Sequence, residues 1–246
     1  VRKFLLFVCT ALLASAALAA DLPAGKKLEI YLLCGQSNMA GRGKVETEDS
    51  TPHARVFVFN EKGAWAPAID PLHWDKPKIA GVGPGFSFGK QLAESDPQIV
   101  VGLVPCAVGG TPIERWVPGA DLFKAAVARA KNAAKSGVIR GIIWHQGESN
   151  AAMATDVYAE KLKSVVEGFR KELNAPALPF VAGTLGDFKN NTTVNAALMG
   201  LPAAVPKTAC VEATGLKDKG DNTHFDGPSQ REFGKRYAAA MLKLLK

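Results

Sequence analysis

The chain has little with which to cross-link itself. Four cysteines occur in 246 residues, with no cysteine cluster and no H-E-x-x-H segment, so a metal hydrolase would lack its usual ligand pattern. Once the N-terminal segment carrying Cys9 is set aside, Cys34, Cys106 and Cys210 remain, an odd number that cannot all pair within the chain. All three stand at or beside apolar runs, which predicts buried thiols, with a Cys34–Cys106 bridge as the alternative. Internal repeats, low-complexity tracts and linkers are absent as well, and two domains would be crowded in this length. Strong charge of one sign is missing too. The formal excess of +7 falls to +5 without Arg2 and Lys3, and the lysines are scattered along stretches such as "FKAAVARAKNAAK". Those are solvated helix faces and not a nucleic-acid stripe, so no nucleic-acid partner is expected.

Long hydrophobic runs are lacking except at the start. "VRKFLLFVCTALLASAALAA" has two basic residues, an apolar stretch too short to span and flank a bilayer, and the small-residue sequence "ALAA". This pattern predicts a secretory signal peptide over residues 1–20, cleaved near Ala20, and a single domain over residues 21–246. The product would be secreted or periplasmic, with no stable membrane insertion. The alternative, an anchoring helix, lacks stop-transfer charges after the run.

With 47% hydrophobic and 22% charged residues, the remainder has the composition of a soluble globular protein. Short apolar, β-branched runs recur as "LEIYLL", "VFVFN", "IVVGLVP", "VIRGIIWH", "LPFVAGTL" and "TACVEAT". They do not alternate, as befits strands buried on both faces. Helical spacing fills residues 121–136, 155–173 and 229–245, with Asp121 and Thr155 as candidate N-caps. The strand-then-helix rhythm predicts an α/β fold. Residues 41–85 are rich in Pro, Gly and Trp and read as a long surface excursion of functional type.

Four islands stand at strand ends or just before the last helix: "GQSNMAG" (35–41), "CAVGGTPIERW" (106–116), "WHQGESN" (144–150) and "DNTHFDG" (221–227). Serine is a weak nucleophile at neutral pH; it needs a histidine to take its proton and a carboxylate to fix that histidine's tautomer. Ser37, His224 and Asp221 supply these types, and a separation of three lets Asp221 reach the ring nitrogen remote from the serine. Ser37 N–H, Gly109 N–H and the Gln146 side-chain amide are candidate oxyanion donors. Gln36, Gly110 and Glu148 are candidate supporting or substrate-binding residues, and Glu148 competes with Asp221 for the acid role. Trp65, Trp74 and Trp116 are candidate sugar-stacking residues.

In that order the islands resemble the SGNH-type hydrolases, in the branch of sialate O-acetylesterases and carbohydrate esterase family six acetylxylan esterases. "GVGPGFSFGKQLA" and "HFDGPSQREFGKRYA" extend the resemblance over nearly the whole mature chain. It implies a three-layer α/β/α sandwich around a central, mostly parallel sheet. It further implies Ser37 as nucleophile, His224 as base, Asp221 as acid, and oxyanion donors at Gly109 and Gln146, the latter where the wider group has asparagine. The implied substrate is an acetylated oligo- or polysaccharide of sialic acid or xylan type, with no metal or organic cofactor. Met39 stands two residues beyond Ser37, so the pentapeptide G-x-S-x-G of standard α/β-hydrolases is absent. Two rival readings are a non-catalytic carbohydrate-binding module on the same fold and a metal hydrolase using His145, Glu148, Asp221 and His224.

Overall fold

The computed structural model describes Pro23 and residues 26–246; the predicted signal peptide lies outside the described residues. Its centre is the run "KLEIYLLCG", strand β1 (Lys27–Gly35). Ile30, Leu32 and Cys34 face one hydrophobic cluster and Tyr31 and Leu33 the other, so both faces of the strand must be covered. Strands β2 (Val56–Phe59), β3 (Trp65–Pro67), β4 (Ile99–Pro105), β5 (Val138–His145), β6 (Phe180–Gly183) and β7 (Thr208–Val211) complete one sheet, ordered β3-β2-β4-β1-β5-β6-β7. Every pairing is parallel except β2 with β3.

Helices cover the sheet on both sides. Helix α3 (Asp121–Ala133) buries Phe123, Ala126, Val127, Ala130 and Ala133, and α4 (Thr155–Glu172) buries Tyr158, Leu162, Val165, Val166 and Phe169. This i, i+3, i+4 stripe carries each helix onto the sheet, each large side chain contributing about 1.5–3 kcal/mol. With α5 (Thr192–Ala204) they form one layer. Helices α2 (Pro84–Ser95) and α6 (Gly227–Leu245) form the other, giving the three-layer α/β/α sandwich. A one-turn helix, α1 (Ser37–Ala40), follows β1.

Some local expectations change. Asp121 and Thr155 are first helical residues and not N-caps; Ala120 and Ala154 hold that position. Asp121 instead pairs with Arg115. The short edge strand β3 and helices α2 and α5 did not stand out by periodicity. The excursion is less irregular than its composition suggests: it contains the β2–β3 hairpin, and its ends are tied by paired hydrogen bonds between Gly43 and Val82. Cys34, Cys106 and Cys210 are free thiols. Burial pushes the Cys34 thiol up, with Cys106 beside it adding to the rise. No described helix is long and apolar enough to cross a membrane.

Candidate active site

Strand order determines where reactive groups can collect. The chain leaves β1 toward β2 and β4 on one side and later continues to β5, β6 and β7 on the other. A crevice therefore opens beyond the carboxyl ends at β1, the usual ligand position in such sheets. Gly35 ends β1 with φ 132°, and a Cβ there would stand 2.0 Å from the His145 carbonyl oxygen. The Gln36 amide donates to that same oxygen at 2.8 Å. Only glycine permits this close approach of β1 to β5, and the turn it makes brings up Ser37.

Ser37 Oγ is 3.0 Å from His224 Nε2, and His224 Nδ1 is 2.7 Å from Asp221 Oδ2. The other Asp221 oxygen accepts the amides of His224 at 2.8 Å and Thr223 at 3.0 Å. Partial burial raises the Asp221 carboxyl, but its hydrogen bonds with His224 outweigh this and hold it well below the usual carboxylate range. Hydroxyl, imidazole and ionised carboxylate thus stand in series.

Asn38 straps the histidine loop to the serine turn. Its amide nitrogen donates to the Thr223 carbonyl at 3.0 Å and its side-chain oxygen accepts the Phe225 amide at 3.1 Å. Phe225, fully buried against His145, Phe188 and Phe233, anchors the same loop from below. Glu148 does not bond His224. One of its oxygens takes Asn38 Nδ2 at 2.5 Å and lies 3.4 Å from His145 Nε2. Burial raises the Glu148 carboxyl, yet His145 and Asn38 together keep it lowered. Asn38 and Phe225 lie inside the quoted islands, but the strap between them could not be read there, because Asn38 and its partners Thr223 and Phe225 are about 185 residues apart in the chain.

The oxyanion candidates separate. The Ser37 amide has no intramolecular acceptor among the described residues. The Gly109 amide is committed, donating to Asp75 Oδ2 at 2.7 Å. Gln146 is wholly buried, and its amide nitrogen is within reach of Gln36 Oε1, the Thr111 carbonyl and Asn150 Oδ1 at 3.1, 3.1 and 2.7 Å. Its two N–H groups are spent internally, and its oxygen accepts from Tyr158 at 2.9 Å. Gln36 is the beneficiary: its Oε1 also takes the Ser149 amide at 3.3 Å, which leaves its NH2 without an intramolecular acceptor among the described residues. Gln36 and Gly110 both line a cavity of about 320 Å³ that includes Ser37, His224 and Glu148. Gly109 and Gln146 do not line it. Lys76 and Lys189 stand at its rim.

The tryptophans are not sugar platforms here. Trp65 and Trp116 are core residues, Trp116 stacked edge-on against Trp144 at 5.4 Å, and Trp74 lies under Arg129 in a separate cleft. Among the described residues no three His, Cys, Asp or Glu side chains converge to hold a metal ion; His145 with Glu148, and Asp221 with His224, form separate pairs.

In the cleft of Trp74 and Arg129, His73 is buried with Nε2 unpartnered among the described residues. Burial pushes its pKa down to about 4, against the opposing pull of Asp75. The folded protein therefore holds His73 neutral where the unfolded chain, near 6.5, is already taking up a proton. Stability from this group is complete above pH 6.5 and is lost as pH falls toward 4. Buried Asp70, whose carboxyl is raised by desolvation and by Asp49, works in the opposite sense, so a difference between variants is the useful measure. Urea unfolding of His73→Gln should show a stability–pH slope shallower than wild type by about 1 kcal/mol per pH unit between pH 6 and 4.5. Parallel profiles would remove the assignment.

A hydroxyl, imidazole and carboxylate in series at the carboxyl edge of a parallel sheet define the class of three-layer α/β hydrolases. Residues 27–243 match the SASA family, described as carbohydrate esterase, sialic acid-specific acetylesterase, and the chain belongs to that family. It is 34% identical to a probable carbohydrate esterase of Arabidopsis thaliana over 87% of this chain and 90% of that one. A crystal structure of an Arabidopsis thaliana protein superposes with a TM-score of 0.81 at 31% identity, covering 87% of this chain and 98% of the other. Human sialate O-acetylesterase is 28% identical over 58% of this chain, which spans 35% of that protein. A carbohydrate acetylesterase from Xanthomonas citri shares the fold, with a TM-score of 0.67 at 21% identity over 87% of this chain and 56% of that one.

Proposed function

We propose that the protein is a secreted or periplasmic serine-dependent acetylesterase that removes O-acetyl groups from a carbohydrate of sialic acid or xylan type. The observation that carries this reading is the unbroken series Asp221–His224–Ser37, with contacts of 2.7 and 3.0 Å, in a member of a carbohydrate esterase family. His224 takes the Ser37 proton as Oγ adds to the acetyl carbonyl, and Asp221 stabilises the imidazolium that forms. The carbonyl π pair moves to oxygen. The Ser37 amide, the Gly110 amide and the Gln36 NH2 are the donors available to that oxygen, each worth about 3–4 kcal/mol in comparable sites. Collapse of this intermediate passes the histidine proton to the sugar oxygen and leaves acetyl-Ser37. Water, deprotonated by the same histidine, attacks the acetyl carbonyl; acetate departs and the serine proton returns. Gln146 acts here through Gln36, which it orients.

Acetate release from an aryl acetate and from a panel of acetylated xylan, pectin and sialic acid is expected, unchanged after dialysis against chelator. No turnover of any of them would favour a binding module, and loss of activity to chelator would favour a metal hydrolase.

A further inference from the structure

Asp75, which none of the four islands contains, joins three segments beside the Ser37 turn, two of which, through Arg42 and Gly110, line the cavity. Its Oδ2 accepts Arg42 Nη2 at 2.7 Å and the Gly109 amide at 2.7 Å. The two side chains are almost sealed from solvent, at 1% and 3% exposure. Arg42 follows the Ser37 turn and is itself immobilised: its Nη1 donates to the Gly41 carbonyl at 2.6 Å, and the flanking backbone pairs with residues 81 and 82. Asp75 comes from the return leg of the excursion. Gly109 belongs to the loop after β4, whose Val108 amide is bound to the Gly35 carbonyl. A Cβ on Gly109 would lie 2.5 Å from Arg42 Nη2, 3.0 Å from Asp75 Oδ2 and 3.4 Å from Ser37 Cβ. The glycine is thus enclosed between the ion pair and the nucleophile, with no room for another side chain.

The successive amides of Gly109 and Gly110 in this loop are both candidates to face the acyl oxygen, since neighbouring N–H groups in a turn can converge on one anion. Asp75 takes the Gly109 amide out of play. The Gly110 amide, without an intramolecular acceptor among the described residues, is left beside the cavity. We propose that Asp75, held by Arg42, is a positioning residue that sets the glycine loop against Ser37 so that the Gly110 amide serves the oxyanion. This rests on the serine-esterase reading above. Asp75 touches no reacting atom; it acts by removing the loop's freedom to present the wrong amide, where a misplacement of about 1 Å costs on the order of 100-fold in rate.

The test compares Asp75→Ala with Asp75→Asn on an aryl acetate. An asparagine side-chain oxygen can accept both bonds that Oδ2 accepts, with its nitrogen replacing an oxygen that has no partner among the described residues. Asp75→Ala should lower kcat by about 100-fold with KM within about threefold, and Asp75→Asn should recover at least about tenfold of that loss. The folded fraction is measured by circular dichroism and urea unfolding, and rates are expressed per folded molecule. A kcat for Asp75→Ala within about threefold of wild type, a loss confined to KM, or an asparagine variant no better than alanine would overturn the proposal. Should the alanine variant not fold, Asp75→Glu carries the test. It keeps the charge for Arg42 but displaces the carboxylate by one methylene, and kcat should fall by about tenfold or more; wild-type kcat would overturn the proposal. Ser37→Ala, run alongside, separates the two readings: an inactive Ser37→Ala beside a fully active Asp75→Ala refutes only the positioning role, whereas an active Ser37→Ala refutes the serine mechanism.

Discussion

Ser37→Ala is expected to abolish acetate release while leaving the protein folded. The hydroxyl makes one side-chain hydrogen bond, with His224 at 3.0 Å, and faces a cavity into which water can enter. Its removal costs stability of about 0.5–1.5 kcal/mol, a melting shift of a few degrees. The helical turn it begins is held by backbone bonds from Gly41 to the Ser37 carbonyl and from Met39 and Ala40 to the Gln36 carbonyl, none of which needs the hydroxyl. Activity, by contrast, loses the atom that carries the acetyl group in the proposed mechanism, so kcat should fall by about 10⁶-fold in line with triad knockouts. A fluorophosphonate should label wild type at Ser37 and leave the variant unlabelled. A folded Ser37→Ala with near-normal turnover would refute the serine mechanism.

Asp221→Asn is expected to lower kcat by up to about 10⁴-fold, with Glu148→Gln losing no more than about tenfold. The reason lies in the two oxygens of Asp221. One is fixed by the backbone amides of His224 and Thr223, donors that an asparagine must also meet with its oxygen. Its nitrogen is thereby turned toward His224 Nδ1, where the carboxylate had accepted at 2.7 Å. An N–H donor there obliges Nδ1 to accept and moves the ring proton to Nε2, so the histidine can no longer take the Ser37 proton. Glu148 lines the cavity but does not touch His224; its polar contacts are with Asn38 and His145, and a glutamine oxygen can still accept from Asn38. Steady-state kinetics of the two variants, with folding checked by circular dichroism, test the ranking. A crippled Glu148→Gln beside a near-normal Asp221→Asn would reverse it.

The difference in legibility between Asp221 and the oxyanion donors is physical. The D-x-x-H turn closes on itself within four residues through amide-to-carboxylate bonds, so its geometry is implicit in its spacing. The long apolar strands were equally plain, because a strand buried on both faces has no polar positions to obscure it. Helix α5 was harder to read because Pro202 lies within it and only Val194, Ala197, Leu198 and Leu201 are buried. Strand β3 is only three residues long and sits at the sheet edge. Trp65 and Trp116 could have been rim or core from sequence; enclosure by Phe59 and Trp144 makes them core.

By itself, then, the sequence determined the strand-and-helix rhythm, the four islands and the local acid–base turn, since each is written in residues a few positions apart. Only the tertiary structure decided which polar groups remain free to act. Gly109 and Gly110 are indistinguishable as neighbouring glycines, as are Gln36 and Gln146 as strand-end amides. What separates them is whether a distant group has already taken their hydrogen bonds: Asp75 for Gly109, and Thr111, alongside the nearby Asn150, for Gln146. A buried donor can serve a substrate only if the fold leaves it unpaired, and that depends on packing between segments thirty or more residues apart.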